Sequence, residues 1–241
     1  MKKLLIILFS LLISFNSWGE TKYSYYDNGQ IMAEENYKDD KKDGKSITWY
    51  TNGQIMREGN YKDDKRDGKS TKWYKNGQIE RESNYKNDKL DGKWTWWYED
   101  GQIKRETNYK DDKNHGMSTY WRENGQKRVE ENYIDGKLMG NIKYFYYDIG
   151  QIESKKEYKD GLNGKATFWS KNGQKIIEGN YKDFGPDGKW TFWKRNGQKD
   201  EEVNYKDGDL VDKTIFKYSF FTGRLKSEKK YKDGKCISGD C

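Results

Sequence analysis

The chain repeats one short pattern from end to end. An Asn-Gly-Gln triplet, or a close variant, places a glycine at Gly29, Gly53, Gly77, Gly101, Gly125, Gly150, Gly173 and Gly197, with a degenerate ninth at Gly223. Successive glycines lie 23 to 26 residues apart. Eight residues after each stands a tyrosine, among them Tyr61, Tyr85, Tyr109 and Tyr133. Four residues before each stands an aromatic in all copies but the last: Trp49, Trp73, Trp97, Trp121, Trp169 and Trp193, with Tyr25 and Tyr146 completing the column and Ser219 breaking it. A period of this length makes the chain a stack of similar units, each too small to bury a core alone, so the repeats override any domain count based on length.

Each unit reads as a hairpin. In "KWYKNGQIERESNYK", residues 72–86, a run rich in aromatics precedes Asn-Gly and a second run follows it. Asn-Gly between such runs predicts a two-residue turn with both central residues at positive φ, placed at Gly53, Gly77, Gly101, Gly125 and their equivalents. The polar links such as "KDDKRDGK" carry an Asp-Gly that suits a second tight turn. No helical periodicity appears after residue 19. Side chains alternate across a strand, so Ile79, Arg81, Ser83 and Tyr85 share one face while Glu80, Glu82 and Asn84 share the other. The expected fold is all-β: a single-layer antiparallel β-hairpin repeat array of about nine 24-residue copies over residues 20–234. In it, each Trp and Tyr would pack on its counterpart in the next copy. With 36% charged and 32% hydrophobic residues the composition alone would suit a disordered chain. The 16% of aromatics, recurring at a fixed period, argues for a folded but thin one.

The unit "GKxTxWYxNGQxxxExNYKxG" resembles the MORN-variant repeat, a bacterial relative of the membrane occupation and recognition nexus repeat, over about residues 23–234. The resemblance implies a β-hairpin solenoid that binds or scaffolds other molecules; many bacterial relatives are described as antitoxins. Three departures stand out: Lys155 replaces the usual Glu, Gly140 sits in "LMGN" rather than Asp-Gly-Lys, and copy nine is irregular, as a capping repeat would be.

The ends differ from the array. Residues 1–19 show two lysines, an apolar run from Leu4 to Phe15 and small or polar residues to Gly19, the order of a cleaved secretory signal peptide. About 12 apolar residues fall short of the roughly 20 that span a bilayer. Loss of Lys2 and Lys3 would lower the formal charge from +7 to +5. The expected location is therefore outside the inner membrane: periplasm, outer surface or secreted. In the tail, residues 235–241, Cys236 and Cys241 either close a small disulfide loop or stand as two thiols.

The residues suggest no catalysis. The one histidine, His115, takes a loop position that Asp holds in other copies, and no nucleophile or phosphate-cradling loop is recognisable. In the acidic loops, Lys65 stands between Asp63 and Asp67 where a calcium loop would need its central ligand. The column Glu34, Glu58, Glu82, Glu106, Glu130, Glu178, Glu202 and Glu228 reads as partners for the many lysines. No metal, other cofactor or nucleic-acid partner is expected. Copy four, with Trp94, Trp96, Trp97 and Tyr98, carries aromatics on both faces and is the candidate binding surface, since tryptophan dominates such sites. The sequence thus points to an exported, non-enzymatic scaffold whose partner is a protein, with an envelope glycan, a lipid headgroup or a toxin bound by an immunity protein as alternatives. The oligomeric state stays open.

Overall fold

The computed structural model describes residues 19–159, 163–183, 185–239 and 241. Apart from Gly19, the segment read as a signal peptide lies outside these residues. The described residues form no helix; their strands run antiparallel in one open sheet, neighbours in sequence pairing except where the short Lys89–Leu90 and Lys113–Asn114 share a partner strand with the segment that follows each. Copies two and three illustrate the unit, with strands Lys41–Trp49, Ile55–Lys62, Lys65–Trp73 and Ile79–Lys86.

The two turn types exchange the roles expected of them. At Asn-Gly only the glycine takes positive φ, +82° at Gly53. Gly53 N–H donates to the Tyr50 carbonyl at 2.9 Å and Tyr50 N–H to the Gln54 carbonyl at 2.8 Å. This is a three-residue loop closed by a glycine bulge, not the two-residue turn expected at Gly53, Gly77, Gly101 and Gly125. The asparagine stays out of the left-handed region because its side chain works locally: Asn52 Oδ1 accepts from Gln54 N–H at 3.1 Å.

The two-residue turn lies at Asp-Asp. Asp63 and Asp64 have φ of 48° and 68°, and the flanking Lys62 and Lys65 pair directly. Two aspartates in this region carry a strain that tertiary contacts must offset. The second one does so by docking on the preceding hairpin: Asp64 N–H donates to the Lys42 carbonyl at 2.9 Å while its Oδ1 accepts from Lys42 N–H at 2.8 Å. Asp88 with Arg66 and Asp112 with Leu90 repeat the exchange.

The Asp-Gly read as a turn lies inside the strand. Gly68, at φ +98°, opens a bulge between the pairs Gly59–Ser70 and Tyr61–Arg66, and Asn60 Nδ2 spans it to the Lys69 carbonyl at 3.1 Å. Asn36 and Asn84 do the same in their copies.

At the opposite edge, a tyrosine directly after the strand-end aromatic ties copies one to four and copy six to the next. Tyr50 Oη donates to the Trp73 carbonyl at 2.7 Å, Tyr74 to Trp97 at 2.8 Å, Tyr98 to Trp121 at 2.9 Å and Tyr147 to Trp169 at 2.8 Å. Coupling between copies thus runs through directed hydrogen bonds rather than through the expected stacking of each ring on its counterpart. Trp49, Trp73, Trp97, Trp121, Trp169 and Trp193 are all half-buried at the ends of their strands.

With one layer, only short side chains can be covered by their neighbours. The most buried positions include Ala166, Thr107, Ser118 and Ser83, at 0 to 2% exposure. Val203, Phe216 and Trp190 are larger exceptions toward the C-terminal end, and the Trp190 ring lies over Gly179, where an added Cβ would sit 2.0 Å from the indole. The equivalent Gly59 faces only Ser70, at 3.3 Å. At the C-terminal edge, Cys236 and Cys241 are joined by a disulfide. No helix among the described residues is long and apolar enough to cross a membrane.

Gly179→Ala is expected to destabilise the array by about 1–3 kcal/mol through overpacking. Gly59→Ala, at the same column position, should stay within about 0.5 kcal/mol. Denaturant melts of both, and of Gly179→Ala combined with Trp190→Ser, check the assignment; equal losses for the two alanines would refute it.

Candidate functional site

Strand pairing sets side chains of consecutive copies in rows. One row runs Arg57–Lys72–Arg81–Trp96–Arg105–Tyr120, each directly opposite the next. Beside it lies a floor of small residues, Gly59–Ser70–Ser83 and Thr107 with Ser118, the last two joined by a hydroxyl hydrogen bond. Beyond the floor stand Tyr61, Tyr85, Tyr109 and Tyr133, all half-buried. The face is thus a shallow trough with a cationic and aromatic wall on one side and a tyrosine wall on the other.

The tyrosine rings are topped from adjacent strands. The Arg66 guanidinium lies 4.1 Å above Tyr85, the Lys42 ammonium 5.4 Å above Tyr61, and Trp94 meets Tyr109 edge-on at 6.3 Å. Burial, reinforced by donation to Glu131 at 2.8 Å, pushes the Tyr133 phenol far above its ordinary pKa.

The predicted binding residues of copy four are brought together in part. Trp94 and Trp96 share the trough face and meet edge-on at 5.9 Å. Arg105 lies 5.3 Å from the Trp94 ring and 4.8 Å from that of Tyr120. Trp97 and Tyr98 are spent on the turn edge, as acceptor and donor of the tyrosine ladder. Lys104 sits 4.3 Å above Trp96 and 5.1 Å above Tyr98. All four aromatics are half-buried rather than open on both faces.

Sequence reasoning missed the arginines. Arg57, Arg81 and Arg105 each stand four residues after the turn glycine in three consecutive copies, a recurrence visible in the sequence. Alternate strands put them about 9.6 Å apart. Like charges directly opposite on neighbouring strands destabilise a sheet, and Arg57, Lys72 and Arg81 stand so. Only Lys72 has a carboxylate, Glu80 at 2.8 Å. Arg57 donates to Ser70 Oγ at 3.3 Å, and among the described residues no ion pair reaches Arg57, Arg81 or Arg105.

The other face is electrostatically closed. The glutamates alternate with threonine or isoleucine across the strands, Glu58–Thr71–Glu82–Thr95–Glu106, which separates the like charges. Glu58, Glu82, Glu106, Glu178 and Glu202 are each met by the lysine that opens their own copy, as Lys45 meets Glu58 at 3.0 Å, Lys165 Glu178 at 3.2 Å and Lys189 Glu202 at 2.7 Å. Burial opposes the charge on Glu178 and Glu202. Hydrogen bonds from Lys165 and Lys175, and from Lys189 and Lys199, outweigh it and hold both carboxyls below their ordinary pKa. His115 Nδ1 lies 3.3 Å from the Asp135 carboxylate at the sheet edge. The described residues contain no group of three or more His, Cys, Asp or Glu placed to hold a metal ion.

Six stretches of the chain, residues 21–39, 42–63, 66–87, 90–111, 162–183 and 186–207, match the MORN repeat variant. No curated protein matches the sequence. Among solved structures, the crystal structure of TcdB2-TccC3-TEV aligns with 90% of this chain at 11% identity and a TM-score of 0.31. The aligned region spans 14% of that much longer chain.

A depressed folded-state carboxyl pKa stabilises fully above the unfolded value, about 4.3 for glutamate, and less as pH falls through the lowered value. Thermal stability should therefore drop on acidification below about pH 4. The pair Glu178→Gln and Glu202→Gln should flatten that drop while costing about 0.2–1 kcal/mol each at pH 7. An unchanged pH profile in thermal melts would contradict the ladder's role.

Proposed function

The chain belongs to the MORN repeat variant family, a repeat-based binding and scaffold architecture, and on that footing we propose that it is an exported, non-catalytic scaffold whose trough face holds an acidic partner protein. The observation that carries this reading is the unneutralised arginine column. The Lys–Glu ladder pairs its charges in most copies, whereas Arg57, Arg81 and Arg105 are left without carboxylates in a row that also holds Trp96, with Trp94 against Arg105. Guanidiniums present fixed forks of donors suited to carboxylates, and tryptophan adds apolar contact area. Regular spacing lets weak contacts add along the trough. An immunity protein that holds a secreted toxin is a special case of the same reading. The N-terminal pattern of residues 1–19 supports export.

The test is crosslinking in intact native cells with a membrane-impermeant reagent, followed by mass spectrometry. The expected capture is an acidic protein, lost when Arg57, Arg81 and Arg105 are all replaced by Gln and weakened by rising salt. Capture unaffected by the three substitutions would reject the trough as the site. A chain that the reagent cannot reach would reject export.

A further inference from the structure

The arginine column sets a spacing that its partner must match. Arg57, Arg81 and Arg105 stand on alternate strands, so they recur about every 9.6 Å along a line across the sheet. Tyr61, Tyr85 and Tyr109 follow them by four residues on the same strands, so the tyrosine wall keeps the same interval. Four residues of strand hold the two walls about 13 Å apart. Between them Gly59, Ser70 and Ser83 keep the floor low, until Trp94 rises opposite Thr107. The column also has ends. Ala33 and Val129 take the arginine position in copies one and five, and Glu35 and Glu131 take the floor position there. An acidic ligand finds no further guanidinium beyond the three.

The interval selects the conformation of a chain lying along the trough. In an α-helix, at about 1.5 Å per residue, the same-face repeat nearest this interval is seven residues, or about 10.5 Å. Its mismatch reaches about 1.8 Å over the two steps of the column. A β-strand turns alternate side chains away, and its same-face repeats fall at about 6.8 and 13.6 Å. Polyproline II returns a side chain to one face every three residues, about 9.3 Å, and falls only about 0.6 Å short over both steps. The row offers such a chain aromatic contacts too. Trp96 stands between Arg81 and Arg105, Tyr120 follows, and Trp94 lies 5.3 Å from the Arg105 guanidinium. Aromatic-lined grooves suit such segments, whose preformed backbone leaves little to order on binding.

We propose that the trough holds an extended polyproline II segment of the partner protein with a carboxylate at every third residue, each met by one guanidinium. Three acidic positions within about seven residues fill the column. The proposal rests on the reading of an acidic partner and adds the form of its bound segment.

The test is fluorescence anisotropy of the mature chain with dye-tagged peptides built from one to five Glu-Pro-Pro triplets. Affinity should climb with each triplet to the third and then level, because three arginines are available. An isomer of the five-triplet peptide, with all glutamates first and all prolines after, should bind about tenfold more weakly or worse. Arg81→Gln, at the centre of the column, should erase most of that difference while the melting temperature holds. Equal binding of the two isomers, or affinity that keeps climbing past the third triplet, would overturn the periodic segment and leave the acidic partner standing. Triplet binding unaffected by replacing all three arginines with Gln would overturn both. Binding of neither isomer would overturn the periodic segment, and capture in native cells would judge the acidic partner separately.

Discussion

A single-layer sheet has no second layer to cover either face, and this lack governs the whole structure. Burial must come from neighbours on the same face, so most covered positions shrink to serine, threonine, alanine and glycine, with Trp190, Val203 and Phe216 as exceptions, while flanking ones lengthen to tyrosine, arginine and lysine. Ser83 and Thr107 are almost fully buried although both are polar and neither lies beneath another element. Such a sheet gains little from hydrophobic burial per copy. It must hold its copies in register by directed bonds, and two edge ladders do so: tyrosine hydroxyl to tryptophan carbonyl at one edge, and aspartate turn to preceding strand at the other.

These ladders account for much of the repeat. The asparagine of Asn-Tyr-Lys spans a bulge, the second aspartate docks a strained turn, and the opening lysine neutralises the glutamate thirteen residues on. Once these roles are filled, few residues are left over. The unexplained remainder is the arginine column in copies two to four and the cluster of exceptions at Met117, Ile142 and Glu157. Repetition makes the remainder visible, because a residue that departs from its column has lost a known structural task.

The architecture was legible in the sequence because its period is strict and its strands alternate. The turn geometry was not. Asn-Gly favours a two-residue turn in isolation, but the asparagine side chain here closes on the following glutamine and the glycine alone turns left-handed. Asp-Asp gives a weak turn signal by itself, and its docking partner lies 22 residues away, beyond any local pattern. The copy-four aromatics were found from composition, but their division between trough and turn edge depends on a bulge before Trp97. Arg57, Arg81 and Arg105 recur in only three consecutive copies, so the period of the whole array does not single them out, and their lack of carboxylate partners depends on the strand register.

The central claim is that hydrogen-bonded ladders between copies, rather than a core, hold the array. Native-state hydrogen exchange tests it most directly. The account predicts strong protection for the amides of Asp64, Asp88 and Asp112, which dock on the preceding hairpin, and a local minimum in Ile152–Tyr158, where Glu157 stands in place of the bulge asparagine and, opposite it, Ile142 in place of the opening lysine. Uniform protection along the array, with Ile152–Tyr158 as slow to exchange as Ile79–Lys86, would contradict it.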